Sequence, residues 1–286
     1  MEIILAKTIL SKNNSVNLFR GCSHGCIYCD SRSEVYNNPD FENIKVKENA
    51  INIFELELMK KKEKVMISTG AMMDPYMHIE EELQLTRKML EVIYKYGHGV
   101  SLLTKSSLIL RDLDLLKKIN ERSKCIVAMT LTTYDDILCK TLEPNVACTS
   151  ERVDVLKKLN AAGIETMVWI SPILPYINDT DENIEGLLKY CKEAKVKGII
   201  TFGLGLTLRK GNREYFYQKL EQDFPGLKER YTQKFGHSYG HGLPHYQRLN
   251  QKIKKFCQEN ELLFEYQEVM AYCNKYPQRV EQLTLF

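Results

Sequence analysis

The sequence predicts a parallel α/β fold, and two observations predict it. Six short apolar runs rich in β-branched residues recur along the chain, at 16–19, 65–68, 100–104, 126–131, 166–171 and 199–202. Longer amphipathic stretches lie between them, and regular alternation of strand and helix signals implies parallel strands joined by crossover helices. Two architectures satisfy that pattern: a partial barrel, or an open doubly wound sheet.

The helical stretches are read from spacing. Ile51, Phe54 and Leu58 share a face, as do Leu83, Met89, Leu90 and Ile93, and then Val153, Leu156 and Leu159. Asp179 and Thr180 precede a further stretch as candidate caps. No repeat or Gly/Ser linker interrupts the series. After about Gly205 the register changes: residues 205–286 carry 13 Lys+Arg against 9 Asp+Glu and hold 8 of the 16 tyrosines. The expected division is therefore a core over 1–204 and a basic, helical C-terminal extension over 205–286. Aromatic rings interleaved with cations can stack bases and hold phosphates, and they can equally form a solvated helical cap.

Composition excludes several classes. With 44% hydrophobic and 27% charged residues and a net charge of +3, the 286-residue chain is neither disordered nor fibrous. The longest apolar candidate, Met167 to Ile177, is broken by Pro172 and Pro175, so no membrane span is expected. The N-terminus lacks the basic-then-apolar order of a secretory leader, and nine cysteines, an odd number, favour thiol chemistry over disulfides. A cytoplasmic location is the expectation.

The informative segment is Arg20-Gly-Cys-Ser-His-Gly-Cys-Ile-Tyr-Cys29. Cys22, Cys26 and Cys29 form CxxxCxxC directly after the first strand signal, and thiolates at such spacing converge on a soft metal centre. Gly21 and Gly25 allow the loop to turn tightly. Three cysteines leave one iron of a four-iron cluster open for chemistry. His24 offers the alternative of a Cys3His zinc site.

CxxxCxxC with aromatic Tyr28 before its last cysteine resembles the radical S-adenosylmethionine (SAM) superfamily. The wider pattern resembles its spore photoproduct lyase-like, or DNA repair photolyase-like, branch. That resemblance runs from about Phe19 to Leu206. It includes Asp74-Pro75-Tyr76 with Glu80, Thr86-Arg87, Thr104-Lys105-Ser106, Arg111-Asp112, Glu143-Pro144, Arg152 and Pro172-Ile-Leu-Pro175.

It implies a partial (β/α)6 TIM-like barrel, a [4Fe–4S] cluster on the three cysteines, bound SAM, and a flavodoxin- or ferredoxin-type reductant. The implied chemistry is reductive cleavage of SAM to a 5′-deoxyadenosyl radical that abstracts hydrogen from DNA or a nucleotide-like substrate, in a lyase-like reaction. Asp74 would bind the methionyl amine, Lys105 and Arg152 the carboxylate, and backbone near Pro172 the adenine. The cysteine loop, Asp74, Lys105, Thr132 and Pro172 all follow strand signals, which places them on the catalytic rim of a barrel.

The chain departs from the branch at Met73 (usually Thr), His78 (usually Pro) and Ala71, which fills the slot of a hydrogen-donating cysteine. Tyr76 is the substitute donor. Cys125, Cys139, Cys148, Cys191, Cys257 and Cys273 are expected to be buried apolar thiols. His237, His241 and His245 recur every fourth residue, but Gly236, Gly240, Gly242 and Pro244 predict a loop there.

The segment Gln282-Leu-Thr-Leu-Phe286 resembles the bacterial sliding-clamp-binding motif, with Leu283, Leu285 and Phe286 as apolar anchors and Gln282 as polar head. Deleting Leu285 and Phe286 should abolish binding to a purified sliding clamp; unchanged binding removes the proposal.

Overall fold

The computed structural model describes residues 1–69, 72–201, 204–242 and 245–277, with His241 described by backbone alone. Ala71 and the 282–286 motif lie outside the described residues.

Strand order decides between the two architectures. The strands Ser15–Val16, Met66–Thr69, Gly99–Thr104, Cys125–Thr130, Glu165–Trp169 and Gly198–Ile200 form one six-stranded sheet in chain order. Every neighbouring pair is parallel. A doubly wound sheet reverses its strand order part-way. This one never reverses, so it is a partial (β/α)6 barrel. The six apolar runs each mark one strand.

The fourth strand is buried at every residue, as expected of a parallel strand covered on both faces. Its side chains divide by parity. Cys125, Val127 and Met129 join the large core that includes Leu116, Ile119, Val153 and Leu156 of the flanking helices. Ile126 and Ala128 cluster instead with Met167, Ile200, Val269 and Cys273. The last two belong to the helix Tyr266–Asn274, which fills the inner face of the barrel. Lys124 Nζ donates to the Tyr272 carbonyl (2.8 Å) and the Tyr272 hydroxyl to Glu165 (2.6 Å), tying that helix to the starts of the fourth and fifth strands.

Helices form where the spacing predicts them, at Ala50–Met59, Leu85–Tyr96, Thr149–Ala161 and Asp181–Glu193. Thr180 caps the last of these, its Oγ1 accepting from the Asn183 N–H at 3.1 Å. A smaller sheet of Glu2–Ile4, Lys45–Lys47 and Phe19–Arg20 stands beside the first barrel strand.

Residues after Gly205 change architecture while sharing the core. Leu249, Ile253 and Cys257 of helix Tyr246–Glu259 enter the large apolar cluster, and Phe216, Leu220 and Tyr231 pack with Cys26, Ile27 and Tyr28 of the cysteine loop. After that helix, Leu263 approaches Gly198 so closely that a Cβ there would lie 2.8 Å from the Leu263 carbonyl oxygen. Backbone bonds from the Ile199 N–H to Leu263 (2.9 Å) and from the Leu263 N–H to Lys197 (3.1 Å) follow. The three histidines share no helix: His237 follows helix Leu227–Phe235, His241 lies in strand Gly240–Gly242, and His245 precedes helix Tyr246–Glu259. No helix among the described residues is long and apolar enough to cross a membrane.

Candidate functional site

The cysteine loop begins where the chain leaves Phe19–Arg20. Gly21 takes φ +92°, and a Cβ on it would lie 2.4 Å from the Phe41 carbonyl oxygen, so only glycine fits. That same carbonyl accepts from the Cys22 N–H at 3.1 Å. From there the loop delivers Cys22, Cys26 and Cys29 into one cavity of about 130 Å³, shared with His24, Asp74, Thr104, Lys105 and Thr130. Leu103 lines it as well and packs with the Ile126 and Ala128 cluster below. The cavity therefore sits above the apolar plug, at the C-terminal rim of the strands.

Burial pushes the Cys22 thiol up to about 12, with Asp74 adding to the rise. Burial also holds Cys26 well above the ordinary thiol range, against the opposing charge of Lys105. Metal binding at thiols is coupled to the loss of their protons. Among the described residues no three His, Cys, Asp or Glu side chains stand where they could hold a single ion. The Cys3His zinc alternative therefore has no support in the geometry. His24 instead directs Nδ1 toward Asp74 Oδ2, at 3.5 Å.

Asp74 is fixed by donors on both oxygens. Oδ1 accepts from the Tyr76 N–H (2.8 Å) and the Thr104 hydroxyl (2.7 Å), and Oδ2 from the Lys105 N–H (2.8 Å). Its carboxylate thereby bridges the loop after the second strand to the end of the third. Burial alone would lower the Lys105 ammonium, but Cys26, Glu143 and Asp74 around it outweigh burial and raise it.

Two ion networks, the first partly and the second fully buried, hold these pieces. In the first, Arg111 Nη2 donates to Glu80 Oε1 (3.0 Å) and Asp112 Oδ2 (2.9 Å), Arg87 reaches Asp112 Oδ1 (3.0 Å), and the Thr86 hydroxyl bonds the Pro75 carbonyl (2.5 Å). In the second, Glu143 accepts from the Tyr28 hydroxyl and from Arg152 Nη2 (2.6 Å), all three side chains being buried. The segment around Glu143 clasps the loop: Ile27 N–H donates to Leu142 O (3.0 Å), Asn145 N–H to His24 O (3.2 Å), and Asn145 Nδ2 to Ser23 O (3.0 Å). Nothing in the sequence marks Asn145, whose role lies in its backbone and amide. Glu143-Pro144 did stand in the motif, without a stated task.

Three expected site residues are placed elsewhere. Arg152 is 0% exposed, and besides Glu143 it donates Nη1 to the Thr130 carbonyl (2.8 Å) and Nε to the Ala147 carbonyl (2.7 Å). Its guanidinium is consumed inside the protein and is not free for a SAM carboxylate. Tyr76 does not line the cavity. Its ring lies under the Arg111 guanidinium at 6.0 Å, and burial with the Asp112 carboxylate pushes its hydroxyl well above the usual range. It is a packing residue of the first network, not a hydrogen donor at the cavity. Thr132 lies beyond the fourth strand, its carbonyl accepting from the Asn178 and Asn183 amides at 2.7 and 3.1 Å, and it too is outside the cavity lining. Pro172 follows the fifth strand at the same rim, after a cis peptide bond.

The radical SAM superfamily model matches residues 16–191, the stretch that builds the first five strands of the barrel and this rim. The chain belongs to the radical SAM superfamily. An uncharacterized protein of Mycobacterium bovis is 30% identical over 77% of this chain and 66% of its own length. One from Methanocaldococcus jannaschii is 35% identical over 58% and 62%. The chain thus spans about two thirds of the length of these relatives. Spore photoproduct lyase complexed with dinucleoside spore photoproduct superposes with a TM-score of 0.65 at 15% identity, over 92% of this chain and 82% of that one. Streptococcus suis SuiB bound to S-adenosylmethionine gives 0.53 at 16%, over 88% and 49%. At these identities the likeness is one of fold. The superfamily's cofactors are a [4Fe–4S] cluster and SAM. The donor set fits both: three soft thiols for iron, with an oriented carboxylate and an ammonium beside them.

Removing the Arg152 guanidinium should act on folding. Arg152→Ala leaves Glu143 buried and unpaired and should cost about 3–5 kcal/mol in denaturant unfolding, whereas the paired change Arg152→Met with Glu143→Leu should recover most of it. A loss below about 1 kcal/mol, typical of an exposed charge, would contradict this placement.

Proposed function

We propose that this protein is an enzyme that cleaves SAM reductively and acts on DNA or a nucleotide-like substrate in a lyase-like reaction. The observation that carries the reading is the single rim cavity shared by three thiols, Asp74 and Lys105. Cys22, Cys26 and Cys29 would hold the cluster. Asp74, already oriented by three donors, would accept from the methionyl amine, and Lys105 would neutralise the carboxylate. When bound, the cluster and SAM supply a carbon-centred radical able to abstract hydrogen. The chain's own task is to hold the reactants in register and keep water out, which the buried wall of Cys22, Met73, Thr104 and Thr130 favours.

The substrate class is read from a second cavity of about 200 Å³ that shares Ser31 and Met72 with the first. It combines Arg20, Lys47, Tyr36, Phe41, Asn17 and Asn38. Cations, aromatic rings and side-chain amides together suit phosphate and base. Asn17 Oδ1 is a buried acceptor with no hydrogen-bond partner, the kind of group a base edge can satisfy. Arg209 extends the pattern outward, with its guanidinium 5.5 Å from the Tyr36 ring and 5.1 Å from that of Tyr239. The dinucleoside in the spore photoproduct lyase complex is consistent with this class.

Anaerobically reconstituted protein given dithionite and SAM should release 5′-deoxyadenosine. Cys26→Ala should abolish the release, and Asp74→Ala should weaken SAM affinity about tenfold or more, the worth of a charge-assisted hydrogen bond. A wild-type protein with a full cluster and no product would remove the reading. For the substrate class, Arg20→Ala should weaken binding of a short single-stranded DNA and flatten its salt dependence by about one phosphate contact. Unaltered DNA binding, or none in the wild type, would point to a small metabolite or a protein substrate.

A further inference from the structure

The cysteine loop is a wall one residue thick. Cys22, His24 and Cys26 line the inner cavity, while Ser23, Gly25 and Ile27, alternating with them, line a groove of about 700 Å³ on the outer side. The far wall comes from helix Asp136–Leu142, through Ile137 and Lys140, and from helix Asn212–Asp223, through Tyr215 and Lys219. The wall is held rigid by the Leu142 and Asn145 bonds to the loop already described. Gly25 keeps it thin, since a Cβ there would come 3.1 Å from Asn145 Nδ2 and 3.2 Å from Pro144 Cγ.

We infer that this groove docks the electron carrier for the thiol site, a small one-electron redox protein with an acidic surface around its cofactor. The inference rests on the function proposed above, because only a reductive reaction needs a carrier. Electron transfer requires nearness without contact, and here a partner outside the protein lies one residue from Cys22 and Cys26. The rim side is taken up by the SAM and substrate cavities, so a carrier arriving there would compete with them.

The groove's own chemistry fits such a partner. Ile137 is 80% exposed, an apolar anchor beside the wall. Of the charges lining the groove, Glu42 is paired with Arg32 at 3.1 Å, which leaves Lys140 and Lys219 against Asp223. That net positive balance complements an acidic rim and steers encounter. A small, partly polar surface also suits the brief contacts that electron carriers make. In the transfer, the carrier loses one electron and the centre held by Cys22, Cys26 and Cys29 gains it, with no bond made or broken in the protein.

The test uses the full reconstituted protein, reduced flavodoxin as the carrier, and two variants, Ile137→Asp and the double change Lys140→Glu with Lys219→Glu. Cluster reduction is followed by the fall in visible absorbance, and flavodoxin binding is measured separately by calorimetry on metal-free protein. Both variants should slow reduction by flavodoxin at least tenfold and weaken its binding to a similar degree, while dithionite reduces variants and wild type at equal rates. Unchanged flavodoxin rates and binding in both variants would overturn the docking site and leave the proposed function standing. Failure of wild-type protein to cleave SAM even with dithionite would overturn the function and the docking site with it.

Discussion

The buried contact of Tyr28, Glu143 and Arg152 is the constraint on which the site depends. A carboxylate and a guanidinium with no exposed surface persist only when each is fully paired. Here Glu143 takes the Tyr28 hydroxyl from the cysteine loop and the Arg152 guanidinium, which in turn holds the carbonyl of Thr130 at the end of the fourth strand. Burial works to raise the Glu143 carboxyl, but Arg152 and Lys105 outweigh it and hold it below its usual range. The effect is mechanical. A loop of ten residues, too short to have a core of its own, is fastened to the rigid end of a central strand, and its thiols consequently face the rim.

A second network does the same for the other half of the site. Glu80, Arg111, Asp112 and Arg87 brace the turn that carries Asp74, and Asp74 then bonds the backbone at Lys105. Thiols, carboxylate and ammonium thus meet because two separate sets of internal charges position them. Most of the charged residues in the sequence motif are structural supports of this kind. The helix Tyr266–Asn274 supplies the floor, closing the barrel interior beneath the cavity with Val269 and Cys273.

This explains which features were legible in the sequence. Strands announced themselves because both their faces are buried, so β-branched runs such as Ile126 to Leu131 stand out whatever packs on them. The cysteine spacing was equally plain, since thiol chemistry restricts it so narrowly. A charge or hydroxyl near a motif looks the same in sequence whether it faces a ligand or a buried partner, which is why the sequence places Arg152 and Tyr76 at the site. Glu143 decides the matter for Arg152, and Asp112 with Arg111 for Tyr76. The inward packing of residues 266–274 was hidden too, because an apolar helix face shows that something covers it without showing what. From Gly205 the chain runs into a short two-stranded sheet and further helices, and Leu249, Ile253 and Cys257 there belong to the same core as the strands.

The central claim is that three thiols and no fourth protein ligand hold the metal centre at the mouth of this barrel. Electron paramagnetic resonance of the reduced, anaerobically reconstituted protein, recorded with and without SAM, tests it most directly. A signal from a single four-iron cluster whose g-values change on adding SAM is the predicted result, because a vacant iron can take the ligand. A four-iron signal that SAM leaves unaltered would mean that every iron is already closed, and the account would fail.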